Sequence, residues 1–144
     1  MEKLIASLKV ALGNTFVMYF KAHSYHWNIE GPDFAQYHGF LGDFYESTYA
    51  NVDPIAEHIR ALDSYAPVSL SRMLELSDIE EKESIPTALA MLADLKNDND
   101  RYIVHLRAGI AAAEGANEPA VGNFLQDILD QHQKHGWMLR SFTK

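Results

Sequence analysis

Two histidines and two carboxylates in the first half of the chain have the types and spacing of metal ligands: His26, His38, Asp53 and Glu57. Asp53 and Glu57 are four residues apart, so in a helix their side chains lie on one face and can bind one cation. Such a pair is more often solvated surface charge, but positions 52, 56 and 59 are apolar, which favours an inward or interfacial face.

These four residues fall on two predicted helices, A and B. Helix A is predicted from Leu4 to about Asn28, where apolar residues recur every three or four positions. The segment 30–32 contains Gly and Pro and ends that helix. Asp33 and Gln36 have the spacing of a capping box, which predicts that helix B runs from about Asp33 to Ser64.

Helix B contains one residue that opposes a regular helix, Pro54. Proline in a helix interior removes a backbone donor, leaves the carbonyl of Ala50 without its partner and costs about 3 kcal/mol, so we expect a kink. The stripe of this amphipathic helix, with steps of three or four, is Phe34, His38, Leu41, Tyr45, Tyr49, Val52, Ala56 and Ile59.

One copy of the chain cannot bring all four candidate ligands to the same metal ion. An antiparallel A/B hairpin places His26 beside His38, whereas Asp53 lies fifteen residues along helix B. That separation is roughly 22 Å at the helical rise, and ligands must come within about 2 Å of an ion. If two copies pair with antiparallel B helices, the histidines of one meet the acids of the other, and two equivalent sites form.

The rest of the chain predicts two more long helices after a long connection. Residues 70–76 could form a brief helix in that connection; helix C begins after Ser84, with Pro86 in its first turn, and ends near Gly115. Helix D then runs from 118–119 to Ser141. Residues 1–144 are thus read as one all-α domain, a ferritin-like four-helix bundle with a long crossover, and a simple up-and-down bundle stays open.

Composition limits the chemistry and the partners. The absence of cysteine excludes disulfides, thiolate zinc sites and iron–sulfur clusters, so a metal must be bound by His, Asp and Glu. No apolar run is long enough for a membrane span and no signal peptide is visible, so we expect a soluble, cytoplasmic protein. Twelve basic and twenty acidic residues give a net charge of −8, which disfavours nucleic acid and favours cations.

The ligand spacing belongs to a longer pattern, Lys21-x-His23-x-x-His26-Trp27-Asn28-x-x-Gly31-x-x-Phe34-x-x-x-His38, followed by Asp53-x-x-Ala56-Glu57. With the closing segment 132–140, this pattern resembles the Dps family of mini-ferritins over essentially the whole chain. The resemblance implies a homo-oligomer, a dodecameric shell with ferroxidase centres at its twofold interfaces. In that family the two histidines come from one subunit and the aspartate and glutamate from its partner.

The chemistry that the resemblance implies is that of a ferroxidase, which oxidises Fe²⁺ with hydrogen peroxide in preference to O₂. Ferric oxide is then stored in the hollow shell, which protects the cell against oxidative damage. Glu57 is expected to bridge or anchor the iron, with one or two irons at each centre. Trp27 matches a family tryptophan near the centre, where it intercepts stray radicals or packs in the subunit interface.

This sequence departs from the family pattern at three positions. His58 stands where an arginine is common, and Gly42 stands where some members have an acidic residue near the second iron. Pro54 follows the ligand Asp53, and a local kink there could re-aim the carboxylate. Because Gly42 offers no ligand, we expect weak occupancy of the second iron position.

Two alternatives to an iron-oxidising enzyme stay open: a structural shell with little ferroxidase activity and a DNA-compacting protein. DNA-binding members of the family usually carry a lysine-rich tail, whereas the first nine residues here contain only Lys3 and Lys9, so we expect no DNA binding at physiological salt. The remaining candidate residues are His23, His132 and His135, interpreted as structural, and Glu114, Glu118 and Asp127, proposed to line an iron-entry channel.

Overall fold

The computed structural model describes residues 1–144 and contains helices but no strands. No helix combines the length and the apolar character needed to cross a membrane. Predicted helices A, C and D are confirmed, with ends close to those expected, and the brief helix in the long connection is present. The six helices are α1 Glu2–Asn28, α2 Phe34–Tyr49, α3 Val52–Ala61, α4 Leu70–Leu76, α5 Ala88–Gly115 and α6 Pro119–Phe142.

The core lies between α1, the α2–α3 pair, α5 and α6. Helix α1 is central, since α2, α3, α4 and α5 all pack against it, and α6 packs against α5. Each fully buried aliphatic side chain contributes roughly 1.5–3 kcal/mol by leaving water. This arrangement is the predicted ferritin-like bundle. The core side chains include Leu4, Leu8 and Leu12 from α1, Leu92, Leu95 and Leu106 from α5, and Leu125, Ile128 and Leu139 from α6.

Predicted helix B is interrupted, and the interruption explains how the helix accommodates Pro54. The regular helix stops at Tyr49 and resumes at Val52, which places Pro54 in the first turn of α3. The ring of a proline clashes with the carbonyl four residues earlier, here that of Ala50, which is where the helix breaks. A first-turn residue needs no backbone donor, so Pro54 sits there at little cost.

Two helix starts differ from the sequence-based expectation. Asp33 is the residue before α2, but its side chain accepts no hydrogen bond, so the capping box predicted with Gln36 is wrong. Helix α5 begins after Pro86, which precedes the helix and does not lie in its first turn. The side chain of Thr87 caps α5 by accepting a hydrogen bond from the backbone of Ala90, 3.3 Å away.

The stripe of helix B is only partly buried within the chain. Phe34 and Tyr49, which belong to the stripe, are 43% and 54% exposed. Tyr49 nevertheless contacts α1, since its ring centroid lies 4.6 Å from that of Tyr19. The positions of α2 and α3 that are buried are Leu41, Phe44, Thr48, Ile55 and Ile59.

The long connection is held against α1 at close range. A methyl group at Gly13 would lie 2.8 Å from the carbonyl oxygen of Met73 and 2.9 Å from Cβ of Leu76, so only glycine permits this contact. One residue later, the side-chain oxygen of Asn14 accepts hydrogen bonds from the hydroxyl of Ser77 and the backbone of Asp78, at 2.7 and 3.0 Å. These contacts place α4 across α1.

Candidate metal centre

The turn between α1 and α2 brings His26 and His38 into ring contact. Their ring centroids are 3.7 Å apart and their planes differ by 16°. Helix α1 ends at Asn28 and α2 begins at Phe34, so the hairpin reverses within a few residues. Gly31 has φ 125°, a conformation that other residues rarely adopt, and it permits this reversal.

Reciprocal hydrogen bonds determine which ring nitrogens remain available. Nδ1 of His26 donates to the carbonyl of His38, and Nδ1 of His38 donates to the carbonyl of His26, both at 2.8 Å. A carbonyl can only accept, so both protons are on Nδ1 and the Nε2 atoms keep their lone pairs when the rings are neutral. Metal-binding histidines commonly have this arrangement, in which the second nitrogen donates to a backbone carbonyl.

Neighbouring residues fix the stacked pair from both sides. A methyl group at Gly42 would lie 3.3 Å from Cε1 and 3.5 Å from Nδ1 of His26, so the absence of a side chain there allows α2 to approach the ring. On the other side, Phe34 stacks on His38 with ring centroids 4.8 Å apart. Both imidazoles are half-buried, with their orientation set by packing.

Asp53 and Glu57 are exposed on one side of α3, opposite the buried residues Ile55 and Ile59. Neither carboxylate forms an ion pair within the chain. Asp53 lies in the first turn of α3, where the helix dipole favours a negative charge. The acidic pair therefore remains free to bind a ligand from outside the chain.

The structure does not bring the histidine pair and the acidic pair together in one chain. No group of three or more His, Asp or Glu side chains lies close enough to hold one ion. Helices α2 and α3 pack one after the other along α1, which leaves the acidic pair far from the α1–α2 turn. A centre that uses all four residues requires two copies of the chain.

An aromatic face surrounds the histidine pair. Trp27 is 58% exposed, and its ring centroid lies 4.2 Å from that of His23. His23 stacks on Tyr45 at 3.8 Å, and its Nδ1 is 3.0 Å from the hydroxyl of Tyr19. Burial, and then the nearby His26, lower the pKa of His23. The sequence did not identify Tyr19 or Tyr45 as neighbours of the candidate centre, because helical spacing alone does not distinguish such a cluster from ordinary core aromatics.

His132 and His135 lie in the bundle interior and away from this face. Asn99 orients His132: its amide oxygen accepts from Nδ1 at 2.7 Å, and its amide nitrogen donates to the backbone carbonyl of His132 at 2.8 Å. Both rings pack against Phe44. Burial lowers the pKa of His132 and lowers that of His135 to about 4, so both are neutral at neutral pH.

The other sequence candidates are spread over the surface. His58 packs on Phe124, with ring centroids 4.5 Å apart, beside the exposed Glu57. Glu114 lies at the end of α5 and Glu118 just before α6, while Asp127 is exposed on α6. The acids of the proposed channel therefore surround the α5–α6 turn and the first turns of α6.

Comparison with known proteins identifies the family. A family model described as a ferritin-like domain matches residues 5–144. The chain is 28% identical over 141 residues to DNA protection during starvation protein 2 of Bacillus anthracis, covering 98% of this chain and 97% of that protein. It superposes on the crystal structure of Dps from Staphylococcus aureus with a TM-score of 0.96 and 26% identity, covering 100% and 97% of the two chains.

A third comparison extends the likeness in fold. The Dps protein of Vibrio cholerae O1, described as a member of a broad superfamily of ferritin-like diiron-carboxylate proteins, superposes with a TM-score of 0.94. Its identity is 24%, and the match covers 99% of this chain and 90% of that one. The chain therefore belongs to the ferritin-like family and, within it, to the Dps proteins.

Proposed function

We propose that this chain is the subunit of a mini-ferritin that oxidises Fe²⁺, with hydrogen peroxide as the preferred oxidant, at centres shared between two copies. Twelve copies form a hollow shell in which ferric oxide is stored. The observation that carries the proposal is the stacked pair of His26 and His38, which commit both Nδ1 atoms to backbone carbonyls and leave both Nε2 atoms for a metal.

The donor set suits iron. Neutral imidazole and carboxylate ligands both bind Fe²⁺, and the chain has no thiolate to favour softer metals. Two carboxylates from Asp53 and Glu57 make the centre anionic, and a negative environment stabilises Fe³⁺ more than Fe²⁺. Loss of an electron is therefore favoured once the ion is bound.

A second copy of the chain is needed to complete the centre, and the surface around the histidines is suited to binding one. Phe20, Trp27, Phe34 and Tyr49 are each more than two-fifths exposed on α1 and α2. Exposed apolar residues grouped in this way are typical of subunit contacts. In an isologous pair, the histidines of each copy face the acidic pair of the other, so two centres form in one interface.

We expect one firmly held iron at each centre because of Gly42. This position adjoins the ring of His26, where a carboxylate side chain would add a ligand for a second ion. Glycine offers no donor, so the second position depends on solvent and on shared carboxylates. Reduction of one peroxide takes two electrons, so two Fe²⁺ ions are oxidised for each peroxide consumed.

The proposed biological role is removal of Fe²⁺ and peroxide together, which prevents oxidative damage. The Bacillus anthracis relative is named for DNA protection during starvation, and iron chemistry alone can provide such protection. Direct DNA binding is not part of the proposal, because a net charge of −8 opposes phosphate contacts.

The test is oxidation of Fe²⁺ by peroxide under anaerobic conditions, followed by ferric absorbance. We expect the Asp53→Ala/Glu57→Ala variant to lose most of the rate, since half of the ligand set is gone. The control variant Glu80→Ala/Glu83→Ala removes the same charge from the exposed connection and should oxidise iron at the parent rate. Equal rates in the parent and the ligand variant would favour a structural shell over an enzyme.

A further inference from the structure

Tyr19 has a feature that distinguishes it from the other tyrosines of the aromatic face: its hydroxyl contacts a histidine nitrogen. The distance from the hydroxyl oxygen to Nδ1 of His23 is 3.0 Å, across one turn of α1. Tyr49 packs on the Tyr19 ring at 4.6 Å and Phe16 lies at 5.9 Å, so the ring is held in place. Burial, and then the neighbouring Tyr49 and Tyr45, raise the pKa of Tyr19, so the hydroxyl keeps its proton at neutral pH.

When the proton of neutral His23 is on Nε2, the Tyr19 hydroxyl is the donor in this contact. A phenol donates more readily than it accepts, and a neutral imidazole with its proton on Nε2 offers the Nδ1 lone pair. Stacking on Tyr45, with only 9° between the ring planes, fixes the orientation of the His23 ring. The Tyr19 proton therefore has a base already in place.

The Tyr19–His23 pair is connected to the metal edge by ring contacts. Trp27 lies 4.2 Å from His23, and His26 lies 6.1 Å from His23, centroid to centroid. The His26 ring also meets Tyr45 edge-on at 5.2 Å. Two ring contacts therefore link Tyr19 to His26: Tyr19 to His23 at 5.6 Å and His23 to His26 at 6.1 Å, centroid to centroid.

We propose that Tyr19 is a redox-active residue that supplies the second electron for peroxide reduction, with His23 as the acceptor of its proton. The inference rests on the proposed ferroxidase function and adds a residue to it. Because Gly42 supplies no ligand, a centre that holds one iron firmly can give only one electron at a time. Cleavage of the O–O bond of peroxide to two hydroxide ions takes two electrons, and Tyr19 supplies the second.

The step balances in atoms and electrons. One Fe²⁺ gives one electron and Tyr19 gives the other, the O–O bond of hydrogen peroxide breaks, and two hydroxide ions form. The products are Fe³⁺, the neutral Tyr19 radical and protonated His23. A second Fe²⁺ then returns one electron to the radical while His23 returns the proton, so two Fe²⁺ are oxidised for each peroxide and no hydroxyl radical is released.

Other tyrosines fit this role less well. Tyr45 lies closer to His26, but its hydroxyl has no imidazole partner comparable with that of Tyr19. Tyr25 donates to a carboxylate oxygen of Asp94 and Tyr102 is paired with Thr15, but both lie in the core and away from the aromatic face.

The test is electron paramagnetic resonance of the assembled protein, freeze-quenched after addition of Fe²⁺ and then peroxide. We expect a tyrosyl radical with nuclear coupling to a histidine nitrogen, detected by comparing protein with ¹⁴N- and ¹⁵N-labelled histidine. Tyr19→Phe should abolish the radical and increase the hydroxyl radical caught by a spin trap. Tyr37→Phe, on α2 and packed against Phe142, is the control and should keep the radical.

His23→Phe tests the proton acceptor, because it keeps a stacked ring but has no nitrogen. We expect the histidine coupling to vanish and the radical to form in lower yield. The same pair is also tested without iron, by ultraviolet photolysis of the frozen protein followed by annealing. Photolysis should first produce a tryptophan radical. On annealing, a tyrosyl radical coupled to a histidine nitrogen should replace it.

The outcomes separate this inference from the function on which it rests. Full iron oxidation with two Fe²⁺ per peroxide, but no tyrosyl radical in the parent and no change in Tyr19→Phe, would overturn the inference and leave the ferroxidase intact. A radical that persists in Tyr19→Phe and is lost in Tyr45→Phe would also overturn it. A radical on photolysis without any iron oxidation would instead refute the ferroxidase, and with it the role in peroxide reduction.

Discussion

Gly42 lies against the ring of His26, where an added methyl group would be 3.3 Å from Cε1. Gly42→Ala should shift that ring and weaken its bond to the His38 carbonyl. Changes in residues that orient a metal ligand lower affinity by roughly tenfold to 100-fold, so we expect a loss in this range. Anaerobic calorimetry with Fe²⁺ measures it.

Gly39→Ala is the matched control for this prediction. Gly39 lies on the same helix, but nothing is within 4 Å of a methyl group placed there. Alanine in a helix interior is more favourable than glycine by about 1 kcal/mol, so this variant should be more stable and bind iron like the parent. An equal loss of iron affinity in both variants would show that the contact with His26 does not matter.

The buried histidines predict acid sensitivity of the bundle. Burial lowers the pKa of His135 from 6.5 to about 4, and that of His132 is lowered as well. Because the folded pKa lies below the unfolded one, the stabilisation is complete above pH 6.5 and falls as the pH drops towards 4. For His135 the loss is about 2 kcal/mol at pH 5, measurable by urea denaturation at fixed protein concentration.

His135→Gln should flatten this pH dependence, since glutamine does not titrate. The half-exposed His105 pairs with Asp78 at the surface, so His105→Gln should leave the steep decline in place. An unchanged slope between pH 6.5 and 5 in His135→Gln would exclude His135 as its source.

Removal of the Lys21 charge should cause a large loss in the free energy of unfolding. Its side chain is 5% exposed, and Nζ lies 2.8 Å from a carboxylate oxygen of each of Asp94 and Asp98. Lys21→Met leaves these carboxylates without their partner, and breaking a buried ion pair in this way costs roughly 3–5 kcal/mol. Burial already raises the pKa of Asp98, so the cost should shrink as the pH falls and Asp98 takes up a proton.

Lys96→Met provides the comparison, because Lys96 pairs with Asp100 at 3.1 Å on the surface. Exposed pairs of this kind contribute roughly 0–1 kcal/mol. Guanidinium titrations at neutral pH should therefore separate the two variants clearly. Similar losses in both would mean that burial of Lys21 adds nothing.

The charge of the chain predicts that it does not bind DNA at physiological salt. Phosphate contacts depend on Lys and Arg, and here acidic residues outnumber basic ones by eight. Plasmid DNA mixed with the assembled protein should migrate unchanged in a gel at that ionic strength. Retardation that disappears with added salt would reveal a basic surface formed by assembly.

The sequence by itself determined most of the helices and the separation of the two pairs of candidate ligands within one chain. Helical periodicity, proline and glycine act over a few residues, so the long helices and a distortion at Pro54 could be predicted, although the split of helix B into α2 and α3 was not. The separation of His38 from Asp53 follows from the helical rise alone.

Only the tertiary structure decided how the rings are arranged. The Nδ1 bonds of His26 and His38, the contact of Gly42 with His26 and the Tyr19–His23 pair depend on how α1 and its neighbours pack. Packing also left the stripe positions Phe34 and Tyr49 exposed, a distinction that local spacing does not make. Periodicity records which residues are apolar, whereas the choice between core and interface depends on which surfaces the neighbouring helices cover.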